Sequence, residues 1–147
     1  MAQIGTWDLS QFAISLGALQ FDSGFGDTDV LSVEADQTDW TFHKGADGSF
    51  TRSKMLAKTA KAKLTLGQSS LLNDVLSAQR ITDKATPGGA GYTAFQAKDL
   101  GGTTLITAAH AYIEGPPVVD IASESKEREW TLVLADAEIF VGGNPAQ

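Results

Sequence analysis

The side chains best suited to metal or acid–base chemistry are two histidines, His43 and His110. A zinc site needs several ligands at close spacing, as in HExxH, where two histidines four residues apart share a helix face. Neither histidine has such a partner, and the 147 residues include no cysteine. His110 lies in the run AAHAY, where a hydrogen-bonded core or interface histidine is expected. The sequence therefore predicts no metal site.

Phosphate-binding and nucleophile motifs are also absent from the sequence. The glycine pairs at 88–89, 101–102 and 142–143 lack the GxxxxGK[ST] pattern, so turns are their expected role. No serine lies in a GxSxG context, and the carboxylates are too scattered to single out one acid–base pair. We therefore expect no catalytic residue, no cofactor and no enzyme activity.

Three tryptophans, Trp7, Trp40 and Trp130, leave two interpretations open. An exposed indole can stack on a sugar or a base. An indole can equally anchor the core or a contact between subunits, because it removes a large apolar area from water.

Charge is unevenly distributed along a chain whose net charge is −7. This excess of negative charge argues against a general affinity for nucleic acid, which requires clustered lysine and arginine side chains. One stretch is acidic and contains Asp22, Asp27, Asp29, Glu34, Asp36 and Asp39. The next is basic, interrupted by Asp47, and contains Lys44, Arg52, Lys54, Lys58, Lys61 and Lys63. The two stretches are either solvated faces or complementary patches that meet between neighbouring copies in head-to-tail association.

Hydrophobic periodicity mostly predicts strands. Residues 40–43 and 49–52 flank the turn sequence GADG, which predicts a hairpin, and residues 53–60 are expected to form an exposed loop. One helix is predicted from a cap at Ser69 or Ser70 to about Lys84. Further strands are predicted at residues 12–20, 28–37, 60–66, 92–98, 103–114, 118–122 and 127–138. This order predicts a mainly β fold, an antiparallel sandwich or barrel with one flanking helix, in a single domain over residues 1–147.

Residues 33–53, VEADQTDWTFHKGADGSFTRS, resemble the central hairpin of the inner tail-tube proteins of contractile-tailed bacteriophages. Further similar runs follow in the same order: KLTL at 63–66, QSS at 68–70, NDVLSA at 73–78, FQAKDLGGTT at 95–104, REW at 128–130 and FVGGN at 140–144. The resemblance extends from about residue 12 to residue 144.

The resemblance implies a tail-tube-like fold with an extended hairpin, whose subunits close into hexameric rings that stack helically around a lumen. Implied partners are further copies of the chain, the tail sheath protein, the tape-measure protein, and the baseplate and tail-terminator proteins. Double-stranded DNA would pass through the lumen without sequence recognition. The implied location is the virion tail, assembled in the host bacterial cytoplasm.

A role in ring stacking is expected for the hairpin and loop over residues 40–60, because its tip is polar and its flanks carry opposite charges. The candidate inter-ring contacts are Lys44, Asp47, Arg52, Lys54 and Lys58. The candidate acidic partners, or lumen residues that repel DNA phosphate, are Asp27, Asp29, Glu34 and Asp36.

Two alternatives remain open. The inner tube of a tailocin or a type VI secretion system shares the fold and assembly of the phage tube, so the sequence barely separates them. A monomeric ligand-binding β-sandwich that uses Trp40 or Trp130 is a candidate of a different class.

Overall fold

The computed structural model describes residues 4–27, 29–89 and 91–144. Within these ranges the chain forms nine strands, one α-helix and a short 3-10 helix, Leu9–Gln11. The helix is α1 (Leu72–Ala85). The strands are β1 (Phe12–Leu16), β2 (Leu19–Phe21), β3 (Leu31–Ala35), β4 (Trp40–Lys44), β5 (Phe50–Lys54), β6 (Ala60–Leu66), β7 (Thr93–Asp99), β8 (Leu105–Ile113) and β9 (Arg128–Phe140).

Seven strands form one antiparallel sheet in the order β2-β1-β7-β8-β9-β6-β3, and among the described strands β4 and β5 pair only with each other. The sheet curls into a half-barrel, because the segment that follows edge strand β2 reaches the far side of the sheet. There Phe25 bridges to Leu66 of β6, and Gly67 N–H donates to the Gly24 carbonyl at 2.7 Å. The predicted mainly β fold with one helix is thereby confirmed.

The core lies between the curled sheet and α1. Alternate residues of β6 and β9 are buried, among them Leu64, Trp130 and Leu132, while Lys61 and Lys63 point to the opposite, open face. Helix α1 contributes Leu76, which is fully buried. The period-2 alternation over residues 60–66 thus predicted both the bounds and the buried side of β6.

Helix α1 is fixed to the sheet by a side-chain hydrogen bond. Trp130 Nε1 donates to Asn73 Oδ1 at 2.9 Å, and Asn73 Nδ2 donates to the carbonyls of Gly67 and Ser70. The N-cap position is occupied by Leu71 and not by either serine predicted to cap the helix. Ser70, one residue earlier, accepts a hydrogen bond from Leu72 N–H at 3.3 Å. Among the described residues, no helix is long and apolar enough to cross a membrane.

Three predicted elements differ from the structure. Residues 12–20 are not one strand: Gly17, at φ +61°, turns the chain between β1 and β2. Residues 118–122 are all described and form no strand, because their backbone pairs with no sheet edge. The apolar side chains of this segment are exposed. Residues 53 and 54, predicted as loop, complete β5. Residue 28, the start of another predicted strand, lies outside the described residues.

Candidate assembly surface

The hairpin of β4 and β5 is closed by a tight turn. Gly45 N–H donates to the Ser49 carbonyl at 2.7 Å, and Gly48 adopts φ +90°, which glycine reaches without a steric penalty. The Asp47 carboxylate at the tip accepts from Ser49 Oγ at 2.6 Å and Ser49 N at 3.0 Å, both through Oδ1. These hydrogen bonds hold the pKa of Asp47 below its ordinary value, and the bond from the Ser49 hydroxyl has the largest effect. The tip is therefore negatively charged at neutral pH.

The hairpin extends the ladder that β3 and β6 form in the main sheet. Asp36 N–H donates to the Thr59 carbonyl at 3.1 Å, and Met55 N–H donates to the Asp39 carbonyl at 2.8 Å. The segment that follows β5 has one residue more than the segment that precedes β4, so the register shifts by one between the two ladders. The hairpin is thus a continuation of the sheet edge and lies outside the core.

The two faces of the hairpin differ in chemistry because side chains alternate along each strand. One face is polar and consists of Thr41, His43, Thr51 and Ser53. The other, which we name the aromatic–basic face, consists of Trp40, Phe42, Lys44, Phe50, Arg52 and Lys54. Its aromatic side chains are 44%, 58% and 72% exposed at Trp40, Phe42 and Phe50.

Contacts on the aromatic–basic face are made between its own side chains. The Phe42 and Phe50 ring centres are 5.7 Å apart, and the Arg52 guanidinium lies 3.9 Å from the centre of the Trp40 ring. Large apolar side chains grouped on the surface of a protein are typical of a protein–protein contact. This geometry suits a protein partner whose side chains stack on the aromatic rings and whose carboxylates pair with the basic side chains.

The structure brings together most of the basic residues that are predicted to contact a neighbouring hexameric ring. Lys44, Arg52 and Lys54 share the aromatic–basic face, with Asp47 beside them at the tip. Lys58 does not lie on that face. It forms an ion pair with Glu138 of β9, which raises the pKa of Lys58 above its ordinary value. Lys58 therefore has a partner within its own chain, and the inter-ring roles of all five residues stay predictions.

The predicted acidic residues do not form one patch. Asp27 and Asp29 lie in the loop between β2 and β3, and Asp27 N–H donates to Glu127 at 2.5 Å. Glu34 lies on β3, and Asp36 follows β3 at the base of the hairpin. All four are exposed, and none has an ion-pair partner within the described ranges.

The open face of the sheet carries both signs of charge. Lys61 pairs with Glu114 at 3.3 Å and Lys63 with Glu129 at 4.0 Å. Glu34 lies opposite Lys61 in the β3–β6 register, and these side chains line a groove of about 420 Å³. The groove is polar and is lined by three acids, Glu34, Asp36 and Glu114, and by two bases, Lys61 and Lys63.

Several functional candidates were not singled out from the sequence. Phe42 and Phe50 were expected only as strand residues, although their two-residue alternation with threonine and histidine indicated a common face. Trp130 is buried in the core, as the interpretation of the tryptophans as core anchors predicts, whereas Trp40 is exposed. His110 is exposed and meets Tyr92 edge-on at 5.9 Å, which excludes the core position. The interface position, the other alternative expected for His110, stays a prediction.

Chemistry-bearing groups are dispersed in the part of the chain that the structure describes. There, no three His, Asp or Glu side chains form a group that could hold a metal ion.

The fold is that of tube and tube-terminating proteins of contractile injection systems. The anti-feeding prophage tube-terminating cap matches with a TM-score of 0.60 at 13% identity, over 95% of this chain and 94% of that chain. A chain of the PVC sheath-tube complex matches at 0.57 and 12% identity, over 90% of each chain. A chain of the PVC sheath/tube terminator matches at 0.56 and 12% identity, over 95% of this chain and all of that one.

The chain is also similar to structural protein ORF10 of Pseudomonas phage KPP10. The two are 29% identical over 122 residues, which are 83% of this chain and 70% of the phage protein. No protein family model matches the chain. The resemblance read from the sequence is confirmed: the chain is similar to a phage structural protein and shares the fold of contractile-system tube and terminator components.

Proposed function

We propose that this protein is the structural subunit of a phage tail inner tube, in which hexameric rings stack and the lumen conducts DNA and the tape-measure protein. The observation that carries the proposal is the hairpin, which presents the aromatic–basic face outside the core. The protein acts by assembly, without catalysis. Sheath, baseplate and tail-terminator proteins are its proposed further partners.

A partner that covers the hairpin would add to its stability. An isolated two-stranded hairpin is marginal in water, and within the described ranges this one is joined to the main sheet only through the segments at its base. Seating Trp40, Phe42 and Phe50 on a neighbouring subunit would remove their apolar area from water at about 25 cal/mol per Å². Assembly therefore supplies the contact that the single chain lacks.

The charges of the hairpin and of the β2–β3 loop lie at opposite ends of the sheet. The hairpin joins β6 next to Ala60, whereas the loop containing Asp27 approaches the other end of β6, near Leu66. Lys44, Arg52 and Lys54 of one copy can therefore face carboxylates of the next copy in a head-to-tail contact. Such a contact repeats without limit, as stacked rings require.

The open face of the sheet is the proposed lumen surface. Glu34 on that face supports the hypothesis that carboxylates repel DNA phosphate, although Lys61 and Lys63 are paired beside it. A tube structure with a neutral or basic channel would remove this part of the proposal.

A second candidate function is that of a tube-terminating protein, since two of the similar solved structures are described as a tube-terminating cap and a sheath/tube terminator. A terminator stops growth, so its purified form makes single rings. A tube subunit makes stacks. Electron microscopy of the purified protein separates the two.

The stacking role of the hairpin is tested with a pair of matched double variants. Phe42→Ser with Phe50→Ser removes two rings of the aromatic–basic face, whereas Thr41→Ser with Thr51→Ser makes small changes on the polar face. We expect tubes to be lost or shortened only in the first variant. Deletion of residues 45–48 is a stronger version of the test, and tubes of normal length from that deletion would refute the role of the hairpin.

A further inference from the structure

A cavity of about 290 Å³ lies between α1, the 115–127 segment and the start of β9. Two guanidinium-bearing residues, Arg80 of α1 and Arg128 of β9, line it together with Trp130. In the described ranges neither arginine has a carboxylate oxygen within 4.0 Å. The lining therefore contains two cations and no acidic side chain, an electrostatic imbalance that an acidic group would relieve.

Arg80 is the less satisfied of the two arginines. Its Nε atom is buried and has no hydrogen-bond partner in the described part of the chain. A buried donor without a partner costs free energy, and more so on a charged group. Native proteins rarely leave such a donor unmatched, so the Arg80 Nε offers a hydrogen bond to an acceptor that enters the cavity.

Arg128 is 8% exposed and keeps its place through neutral acceptors. Its guanidinium donates to the backbone carbonyls of Asp120 and Lys126 at 3.3 Å and of Glu127 at 3.4 Å. These bonds fix the 115–127 segment against β9 and leave the positive charge uncompensated by any carboxylate in the described ranges. The planar fork of a guanidinium matches a carboxylate well.

The cavity is bordered by apolar side chains, which favours a protein ligand over a free ion. Pro116, Pro117 and Val119 line it, and Val118 and Ile121 of the same segment are 76% and 82% exposed. A charged centre with an apolar surround resembles the anchor point of a protein interface, where the surround excludes water from the ion pair.

We infer that the two-arginine cavity is the docking site for the Asp47 carboxylate of a neighbouring copy of this chain. The inference rests on the proposed head-to-tail assembly. Asp47 stands at the tip of the hairpin among small residues, in the sequence GADGS, so the tip is narrow enough to enter a small cavity. Its Oδ1 is bonded to Ser49 while Oδ2 has no bond to another residue among the described ones and can accept from a guanidinium.

The positions of tip and cavity suit a contact that repeats from copy to copy. Arg128 pairs with Leu66 at one end of β6, and the hairpin begins beyond Ala60 at the other end, where Leu134 is the β9 partner. Six strand residues separate the two levels along β9, a distance of roughly 20 Å. One copy therefore presents its carboxylate at the end opposite its own cavity.

Charge variants test the pairing. Asp47→Asn and Arg80→Gln each remove one charge, and we expect each to raise the critical concentration for tube assembly about tenfold or more. Asp74→Asn and Lys84→Gln are the matched controls, an exposed acid and an exposed base on α1, and are expected to assemble like the unmodified protein. Circular dichroism of each variant checks that the fold is intact. Mixing Asp47→Arg with Arg80→Glu is expected to restore assembly that neither variant achieves alone.

A crosslink gives an independent test, because the natural sequence has no cysteine. The double variant Ala46→Cys with Ser77→Cys places one thiol at the tip and one beside the cavity. Oxidised tubes are expected to run as a ladder of covalent multimers on a non-reducing gel, whereas each single variant stops at dimers.

The outcomes separate the two proposals. Tubes that form normally in both charge variants and yield no ladder overturn the docking site and leave the tube function standing. Failure of the unmodified protein to form rings or tubes overturns the tube function itself.

Discussion

The guanidinium of Arg52 lies 3.9 Å from the centre of the Trp40 ring, diagonally across the two strands of the hairpin. At an exposed site such a cation–π contact contributes about 0.5–1 kcal/mol. It holds a base and an indole in fixed relative positions on the aromatic–basic face. A surface prepared in this way loses less side-chain entropy when a neighbouring subunit docks.

Replacing Arg52 is predicted to weaken assembly more than folding. Arg52→Gln removes both charge and stacking, and Arg52→Lys keeps the charge without the planar group. We expect the order of critical concentrations to be Gln above Lys above the natural residue. The unfolding free energy of the monomer, measured in urea, should change by about 1 kcal/mol or less. An equal loss of folding stability and assembly would contradict this assignment.

The hairpin tip gives assembly a defined pH dependence. The Ser49 hydrogen bonds lower the pKa of Asp47 from its ordinary 3.8, so its stabilising contribution is complete above that value and is lost as the pH falls through the lowered pKa. Light scattering of tubes should therefore remain steady from pH 7 to pH 5. Ser49→Ala removes the hydroxyl donor and should move the acid midpoint upward. A midpoint unchanged by Ser49→Ala would contradict the role of this carboxylate.

Asn73 is predicted to be a stability determinant. Asn73→Ala leaves the buried Trp130 N–H without its acceptor and also removes the two donors that bind the carbonyls of Gly67 and Ser70. The expected loss is about 1–3 kcal/mol of unfolding free energy in urea titration. Thr82→Ala, at an exposed position of the same helix, is the control and should stay within about 0.5 kcal/mol. Equal values for the two variants would show that the indole bond contributes nothing.

Asp99 is a buried carboxylate that ties the end of β7 to the C-terminal segment. It accepts hydrogen bonds from Gly101 N–H and from Asn144 Nδ2, and is 2% exposed. Asp99→Ala should lower the unfolding free energy by roughly 1.5–3 kcal/mol, because bonds to a charged group are lost in a buried place. Asp36→Ala, an exposed acid, should lie within about 0.5 kcal/mol of the natural protein. A neutral Asp99→Ala would contradict its structural role.

The hairpin and β6 could be predicted from the sequence because their signals are local. An Asp-Gly turn and a two-residue alternation determine strand bounds without reference to the rest of the chain. Alternation alone does not say whether a face is covered, so Trp40 and Trp130 were equivalent in the sequence and differ in the structure. The exposed Val118 and Ile121 were mistaken for a strand for the same reason.

The two-arginine cavity had no sequence signal. Arg80 lies on a helix and Arg128 begins a strand, and only tertiary packing brings both to one cavity. The acidic and basic stretches are real features of the sequence. The acidic stretch does not form one surface patch, because its residues are divided between the β2–β3 loop and the base of the hairpin.

We propose that the chain assembles into stacked rings through its hairpin. The most direct test is electron microscopy of the purified, unmodified protein, with size-exclusion chromatography over a range of concentrations. We expect hollow tubes built of stacked rings, with assembly that increases with concentration. A species that remains monomeric at every concentration, or single rings that never stack, would contradict this proposal.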